Sequence, residues 1–289
     1  MMLDLEAVRL FVLAAEYGNL TRAAEAAGTV QPVVSVRLKA LEAALGRKLL
    51  DRTPRYVRLT EVGAHFLERA RALLAAHDHA VAPAGTEPVR IAIGISDHAL
   101  GTAFDVVLRR MRSVLPPFTA FDLRLGQSHE IRELFEAGTI DLGVIRREGV
   151  GTGGEVLGDD PLIWCAPPGF EWRESVPLVS LPPPCGVRAV AVRALDKAGI
   201  AWRDAFIGGS CLALVAAVRA GLGVAPLGRM IDFGWPQSLG PTDLPPLPSS
   251  QIVMLARTPG PVEAAAARAL AASVREILRK PASGLRFAP

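Results

Sequence analysis

Gln31, Ser35, Arg37 and Lys39 stand on one side of a segment whose apolar residues Val33, Val34, Leu38, Leu41 and Leu45 recur at helical spacing. Packed by that apolar stripe, such a helix turns its donors outward, where they can reach base edges and phosphates in a DNA major groove. Thr21, at the start of the preceding Ala-rich stretch, is a further phosphate-facing candidate. Downstream, Arg52-Thr53-Pro54-Arg55 forms the tip of a short apolar hairpin over 49–59 and offers two guanidinium groups to an adjacent minor groove.

The elements that hold these side chains are legible locally. Leu5, Val8, Val12 and Ala15 predict a first helix ending near Gly18. Thr21–Ala27 predicts a second, broken at Gly28, which can take the positive φ of a tight turn. Pro32 suits the first turn of the third helix and Gly46 supplies its stop. Thr60 can cap a long helix over 61–81 with Glu61 at its positive end. Phe66, Ala70, Leu73, His77 and Ala80 step along it at heptad spacing, the pattern of a coiled-coil dimer seam.

Phe11, Ala23-Ala24, Gln31-Pro32, Ser35, Leu41-Glu42, Gly46, Leu49, Arg52, Leu59-Thr60 and Gly63 together resemble the N-terminal domain of LysR-type transcriptional regulators. Two weaker matches, EAGTIDLGVIR at 136–146 and LVAAVRAGLGVAPLG at 214–228, resemble the same family's effector domain. The resemblance implies an α/β protein overall. Residues 1–60 would be a winged helix-turn-helix and 61–87 a dimerisation linker helix with its hinge. Residues 88–289 would form a two-lobed α/β effector domain similar to periplasmic binding proteins, lobe I at 88–162 and 252–280, lobe II at 163–251. It further implies double-stranded DNA with promoter dyad sites as partner, a homodimer or homotetramer, RNA polymerase as a contact, and DNA bending that changes with a small-molecule effector. Two residues depart from the family pattern. Val30 replaces a Ser or Thr that caps the recognition helix, so Thr29 or a shifted helix start is expected to serve those N–H groups. Val36 replaces an Arg and removes one DNA contact.

Charge distribution agrees with a DNA partner. The whole chain of 289 residues has a formal net charge of only +3. Between Gly28 and Arg58, however, seven basic residues face two acidic ones, Glu42 and Asp51. The N-terminal segment has no basic start followed by an apolar core, and no uncharged apolar run approaches a membrane span, so a cytoplasmic location is expected. Cys165, Cys185 and Cys211 are scattered singly, which fits a reducing compartment. No phosphate-binding Gly loop, G-x-S-x-G elbow or metal-spaced His or Cys pair is present, so neither an enzyme nor a metal site nor a cofactor is expected.

From Val89 onward, β-rich runs alternate with helices, the texture of a mostly parallel α/β sheet. Strands are expected at 89–95, 118–125 and 140–145, with helices at 97–114 and 129–137. Ligands in such sheets lie beyond the carboxyl ends of strands. That places Ser96-Asp97-His98, Gln127-Ser128 and Ile145-Arg146 at a cleft, with Gly209-Ser210-Cys211 facing them from a helix start in lobe II. Arg146, Ser96 and Ser128 match positions that hold a small organic acid in some family members, so a carboxylate-bearing metabolite is expected. Internal pairing of Arg146 with Asp97 or Glu148 is the alternative. Asp97 would repel an anion, which favours an effector with an amine or hydroxyl beside its acid group. Two other functions remain open: a cysteine-based redox-sensing regulator, since a helix start at Cys211 lowers a thiol pKa, and an effector-independent architectural DNA binder.

Overall fold

The computed structural model describes residues 3–53, 56–81, 89–99, 104–116, 119–148, 153–167, 169–231 and 244–279. Two compact units emerge. One comprises Met1–Ile91, Asp105–Asp122 and Arg257–Val274, and the other Ala92–Phe104, Leu123–Ala256 and Arg275–Pro289. Among the described residues no helix is long and apolar enough to cross a membrane.

In the first unit, α1 (Leu5–Tyr17) starts on Asp4, whose carboxylate accepts the Glu6 N–H at 2.9 Å. Asn19 caps α2 (Leu20–Ala27) through the N–H groups of Thr21 and Arg22. Gly28 (φ 68°) then turns the chain into α3 (Gln31–Leu45), a conformation that a Cβ would strain. Val34, Leu38 and Leu41 of α3 pack with Leu10, Phe11 and Leu13 of α1 into one core. Strands β1 (Leu50–Arg52) and β2 (Val57–Leu59) pair antiparallel, Leu50 opposite Leu59. Helix α4 (Glu61–Val81) begins as expected, with Gly63 N–H donating to Thr60 Oγ1 at 2.9 Å. Gly63 itself is required by close approach, since a Cβ there would lie 2.0 Å from the Leu49 carbonyl oxygen.

The expected dimer seam on α4 divides. Phe66 meets Phe11 in a tilted contact, 5.2 Å between centroids, and Ala70 is fully buried, both turned into the core of their own unit. Leu74, not Leu73, continues that inward stripe, and Leu73, Ala80 and Val81 remain exposed. The inward stripe therefore steps by four residues, 66, 70 and 74, rather than by the alternating steps of a heptad. Helix α5 (Phe104–Val114) and most of α9 (Pro261–Arg279) also belong to this unit. The Arg110 guanidinium lies 4.2 Å from the Tyr17 ring centroid, and Tyr17 Oη donates to the Ala269 carbonyl at 3.2 Å.

The second unit is built on a five-stranded sheet in the order β4-β3-β5-β11-β6. Its members are β3 (Arg90–Ser96), β4 (Ala120–Gly126), β5 (Leu142–Glu148), β6 (Glu155–Asp159) and β11 (Ser250–Ala256). Strands β3 and β5 are parallel, but β11 runs antiparallel to both its neighbours. The sheet is thus mixed rather than mostly parallel, because the chain re-enters it along β11 from the opposite end. The second lobe holds β7 (Leu162–Cys165) against β10 (Ala225–Gly228), and β8 (Val176–Ser180) against β9 (Trp202–Ile207). Helices α7 (Gly186–Lys197) and α8 (Cys211–Arg219) pack on these strands, whereas α6 (Ser128–Glu136) packs through Ile131 on the five-stranded sheet. The helix expected over 97–114 starts later, at Phe104, because Asp97-His98-Ala99 forms a turn closed by Ala99 N–H to Ser96 O at 2.8 Å. The hinge at 82–88 and most of the Pro-rich stretch at 236–248 lie outside the described residues.

Candidate functional site

Helix α3 exposes Gln31, Pro32, Val33, Val36, Lys39 and Ala40, with Ser35 and Arg37 half-buried. Val33 was expected to pack inward; at 40% exposure it joins the outer face instead, since Val34 alone fills that turn of the core. Neither Thr29 nor a shifted start caps the helix. Its N-cap is Val30, without a side-chain hydrogen bond. A cap is less needed here because Pro32 has no N–H and Val33 N–H donates to the Val30 carbonyl at 3.1 Å.

Two expected DNA contacts have partners within the chain. Arg37 Nη1 lies 2.8 Å from Asp4 Oδ2, tying α3 to the start of α1. Arg52 forms a half-buried ion pair with Glu42, whose other oxygen accepts the N–H groups of Leu49 and Leu50 at 2.9 and 3.0 Å. Glu42 therefore fixes the base of the hairpin, and the signal for it in the sequence was an acid on the back of an otherwise basic helix. Thr53 closes the hairpin, accepting from Tyr56 N–H at 3.1 Å. Arg55 lies outside the described residues. Arg58, at 4.6 Å over the Tyr56 ring, is an exposed cation on the same hairpin that the motif did not single out. Thr21 is exposed at the start of α2.

In the second unit a cavity of about 160 Å³ is lined by Ser96, Asp97, His98, Gln127, Ser128 and His129 on one side, and by Leu181, Pro184, Cys185, Gly186 and Val187 on the other. Two helices begin at it. Gln127 is the N-cap of α6 and Cys185 that of α7, its sulfur accepting the Arg188 N–H at 3.5 Å. Gln127 Nε2 also donates to Pro182 O at 3.1 Å, linking the two walls. The second wall was not anticipated, because β8 and α7 were not recognised in the sequence.

Arg146 is not among the lining residues. Its side chain is fully buried and its donors are satisfied internally: Nε and Nη2 to His98 O at 3.0 and 2.8 Å, Nη1 to Asp160 O at 2.8 Å, with further bonds to Ser250 Oγ and an ion pair to Asp160. Asp160 precedes β7 and Ser250 opens β11, so this guanidinium joins both interlobe crossings to the His98 turn. Asp160, rather than Asp97, is its ion partner, and the Glu148 side chain lies outside the described residues. Gly228 is confined by the same group, a Cβ there falling 1.8 Å from Nη2. Ser96 Oγ and Ser128 Oγ both accept the Arg146 backbone N–H at 3.3 Å. Ile145 is a core residue packed with Ile131 and Val253. Ser210 caps α8, and neither it nor Gly209 lines the cavity.

No Lys or Arg is among the described residues that line the cavity. Burial, reinforced by Glu130, raises the Asp97 carboxyl to about 6. Burial and the nearby Arg146 charge lower His98 to about 3, so its imidazole is neutral near pH 7. That ring stands between two thiols, Cys185 Sγ at 3.8 Å from Nε2 and Cys211 Sγ at 3.3 Å from Nδ1. The helix start was expected to lower the Cys211 pKa, but burial raises it, with Asp97 and Cys185 adding to the effect. Burial likewise pushes Cys165 up to about 12.

Residues 5–64 match the family described as "Bacterial regulatory helix-turn-helix protein, lysR family", and residues 84–279 match "LysR substrate binding domain". The chain is 31% identical over 256 residues to the HTH-type transcriptional regulator PecT of Dickeya dadantii, covering 86% of this chain and 80% of that protein. To the HTH-type transcriptional regulator DgdR of Burkholderia cepacia it is 30% identical over 260 residues, covering 87% of each. Its fold is similar to that of the full-length LTTR LysG from Corynebacterium glutamicum, solved with bound effector Arg, at 22% identity and a TM-score of 0.50 over 94% of this chain and 98% of that one. Family models over residues 5–64 and 84–279, with relatives at 30% identity or more over most of the chain, make this protein a member of the LysR family of DNA-binding transcriptional regulators with an effector-binding domain.

Proposed function

We propose that the cavity of the second unit binds a small metabolite carrying a carboxylate together with an amine or hydroxyl, and that its occupancy changes how the protein holds DNA. The observation that carries this is the convergence of two helix starts, those of α6 and α7, on a cavity whose half-buried ionisable wall groups are Asp97 and His129. Helix N-termini attract the acid group, with Ser96 and Ser128 as hydroxyl partners, while Asp97 faces the amine or hydroxyl. Arg146 acts from behind, holding the crossings about which the lobes would close. A cavity of about 160 Å³ suits a molecule of amino-acid size.

The chain acts as a homodimer through the exposed residues of α4. Two dimers form a tetramer on paired sites upstream of a promoter, where RNA polymerase is a further contact. Effector binding shifts the population between arrangements only as far as it favours one of them. The test is thermal unfolding of the full chain against a panel of amino acids, hydroxy acids and simple carboxylic acids. A concentration-dependent rise in Tm with the bifunctional acids is expected. No rise with any acid removes this reading.

Redox sensing is supported by the placement of His98 between Cys185 and Cys211, and opposed by the burial that keeps Cys211 protonated. Mass spectrometry after mild peroxide decides: a Cys185–Cys211 disulfide favours redox control, and free thiols with a ligand-induced Tm rise favour the metabolite.

A further inference from the structure

The outermost line of α3 is apolar. At about 100° per residue, Val36 lies nearly opposite the buried stripe of Val34, Leu38 and Leu41, with Pro32 and Lys39 to one side and Val33 and Ala40 to the other. Val36 is 67% exposed and Val33 40%, while Val30 at the helix entry is 60% exposed. These side chains contribute little to folding, since their apolar surface stays in water. Beside them on α3 Lys39 is exposed, and no acidic residue occurs between Gly28 and Leu41, while Asp4 at the start of α1 pairs with Arg37. Laid in a major groove, this face would bring Lys39 to a phosphate and the valines to the base edges.

We propose that Val33 and Val36 read thymine methyl groups in the major groove, so that each half-site carries A·T pairs opposite the centre of α3. The major-groove edge of thymine alone among the four bases presents a methyl group, which an exposed valine can contact and remove from water. Guanine recognition instead takes a bidentate Arg or Lys, and the Arg nearest this face, Arg37, is held by Asp4. The half-buried Ser35 and the exposed Gln31 are left to hydrogen-bond the flanking bases. This inference rests on the family's DNA-binding role and concerns which base property is recognised.

The test begins with duplexes selected from a random library by the full-length protein, in which single thymines are replaced by uracil. That exchange removes one methyl and keeps every hydrogen-bonding group. For the wild type, affinity should fall about fourfold at one or two thymines in each half-site, the value of one buried methyl. In the Val33→Ala and Val36→Ala variants the uracil penalty at those positions should disappear. The penalty should be the same at low and high salt, unlike that of a phosphate contact. Both valines are solvent-facing, so unfolding temperatures of the variants should match the wild type. Equal binding of all uracil duplexes, or a penalty that survives in the double variant, overturns the proposal. So does a double variant with unchanged DNA affinity and an altered oligomeric state, which would assign the stripe to protein contact. Failure to select any duplex would instead count against DNA binding itself.

Discussion

The recognition helix and the cavity both gather polar side chains, but they use them differently. On α3, Gln31, Lys39 and the valines stand exposed on a scaffold held by other residues, so each is available to a partner. At the cavity, Ser96 and Ser128 accept the backbone N–H of Arg146, whose side chain is buried behind the wall, and His98 is buried between two thiols. A residue type therefore says more about function on an exposed helix than at the end of a buried strand, where the same group can be part of the frame.

The sharpest way to break this contrast is Arg146→Met. If Arg146 is frame, the substitution strands Asp160 as a buried charge and should destabilise the chain by about 3–5 kcal/mol, read by denaturant unfolding. Unchanged stability with a lost ligand response would return Arg146 to the binding set. Next in size is Glu42→Ala on the DNA-binding side. It removes the acceptor of two backbone N–H groups and the partner of Arg52, so a loss of about 2–3 kcal/mol is expected. DNA affinity should fall with it, although a negative charge has been removed; a gain in affinity would mean that the hairpin does not depend on Glu42.

A smaller effect separates two neighbouring cations. Lys39→Ala should lower the slope of log affinity against log salt by about 0.9, the value of one phosphate contact, and Arg37→Ala by less, because Asp4 already holds that guanidinium. Equal slopes would erase the distinction. Smallest is a pH effect at the cavity. Asp97 titrates near 6 when folded against an ordinary 3.8, so between these values the folded chain holds the extra proton. The stability it contributes is complete below about pH 4 and is lost as pH rises through about 6. Relative to Asp97→Asn, the wild type should lose Tm across that window; parallel profiles would mean that Asp97 is fully solvated.

Much of the first unit was legible because its signals are local: Gly28 ends α2, and Val34, Leu38 and Leu41 repeat at helical spacing. What escaped was non-local. Nothing near Arg52 indicates that Glu42 will take it, and Val33 reads as core until Val34 is seen to fill the space. At the cavity, the rule of strand ends located Ser96, Asp97, His98, Gln127 and Ser128. It could not locate Cys185, Gly186 and Val187, which arrive on α7 from the other lobe. Nor could it foresee that Arg146 meets Asp160 and Ser250, the latter 104 residues away in sequence.

Coupling between the two regions is tested most directly by a nuclease footprint of the full-length protein on DNA upstream of its own gene, with and without each acid that raises its Tm. The account predicts a protected site in the absence of ligand, and an altered length or new hypersensitive bands when the cavity is filled. A footprint that stays the same with every stabilising ligand would contradict it.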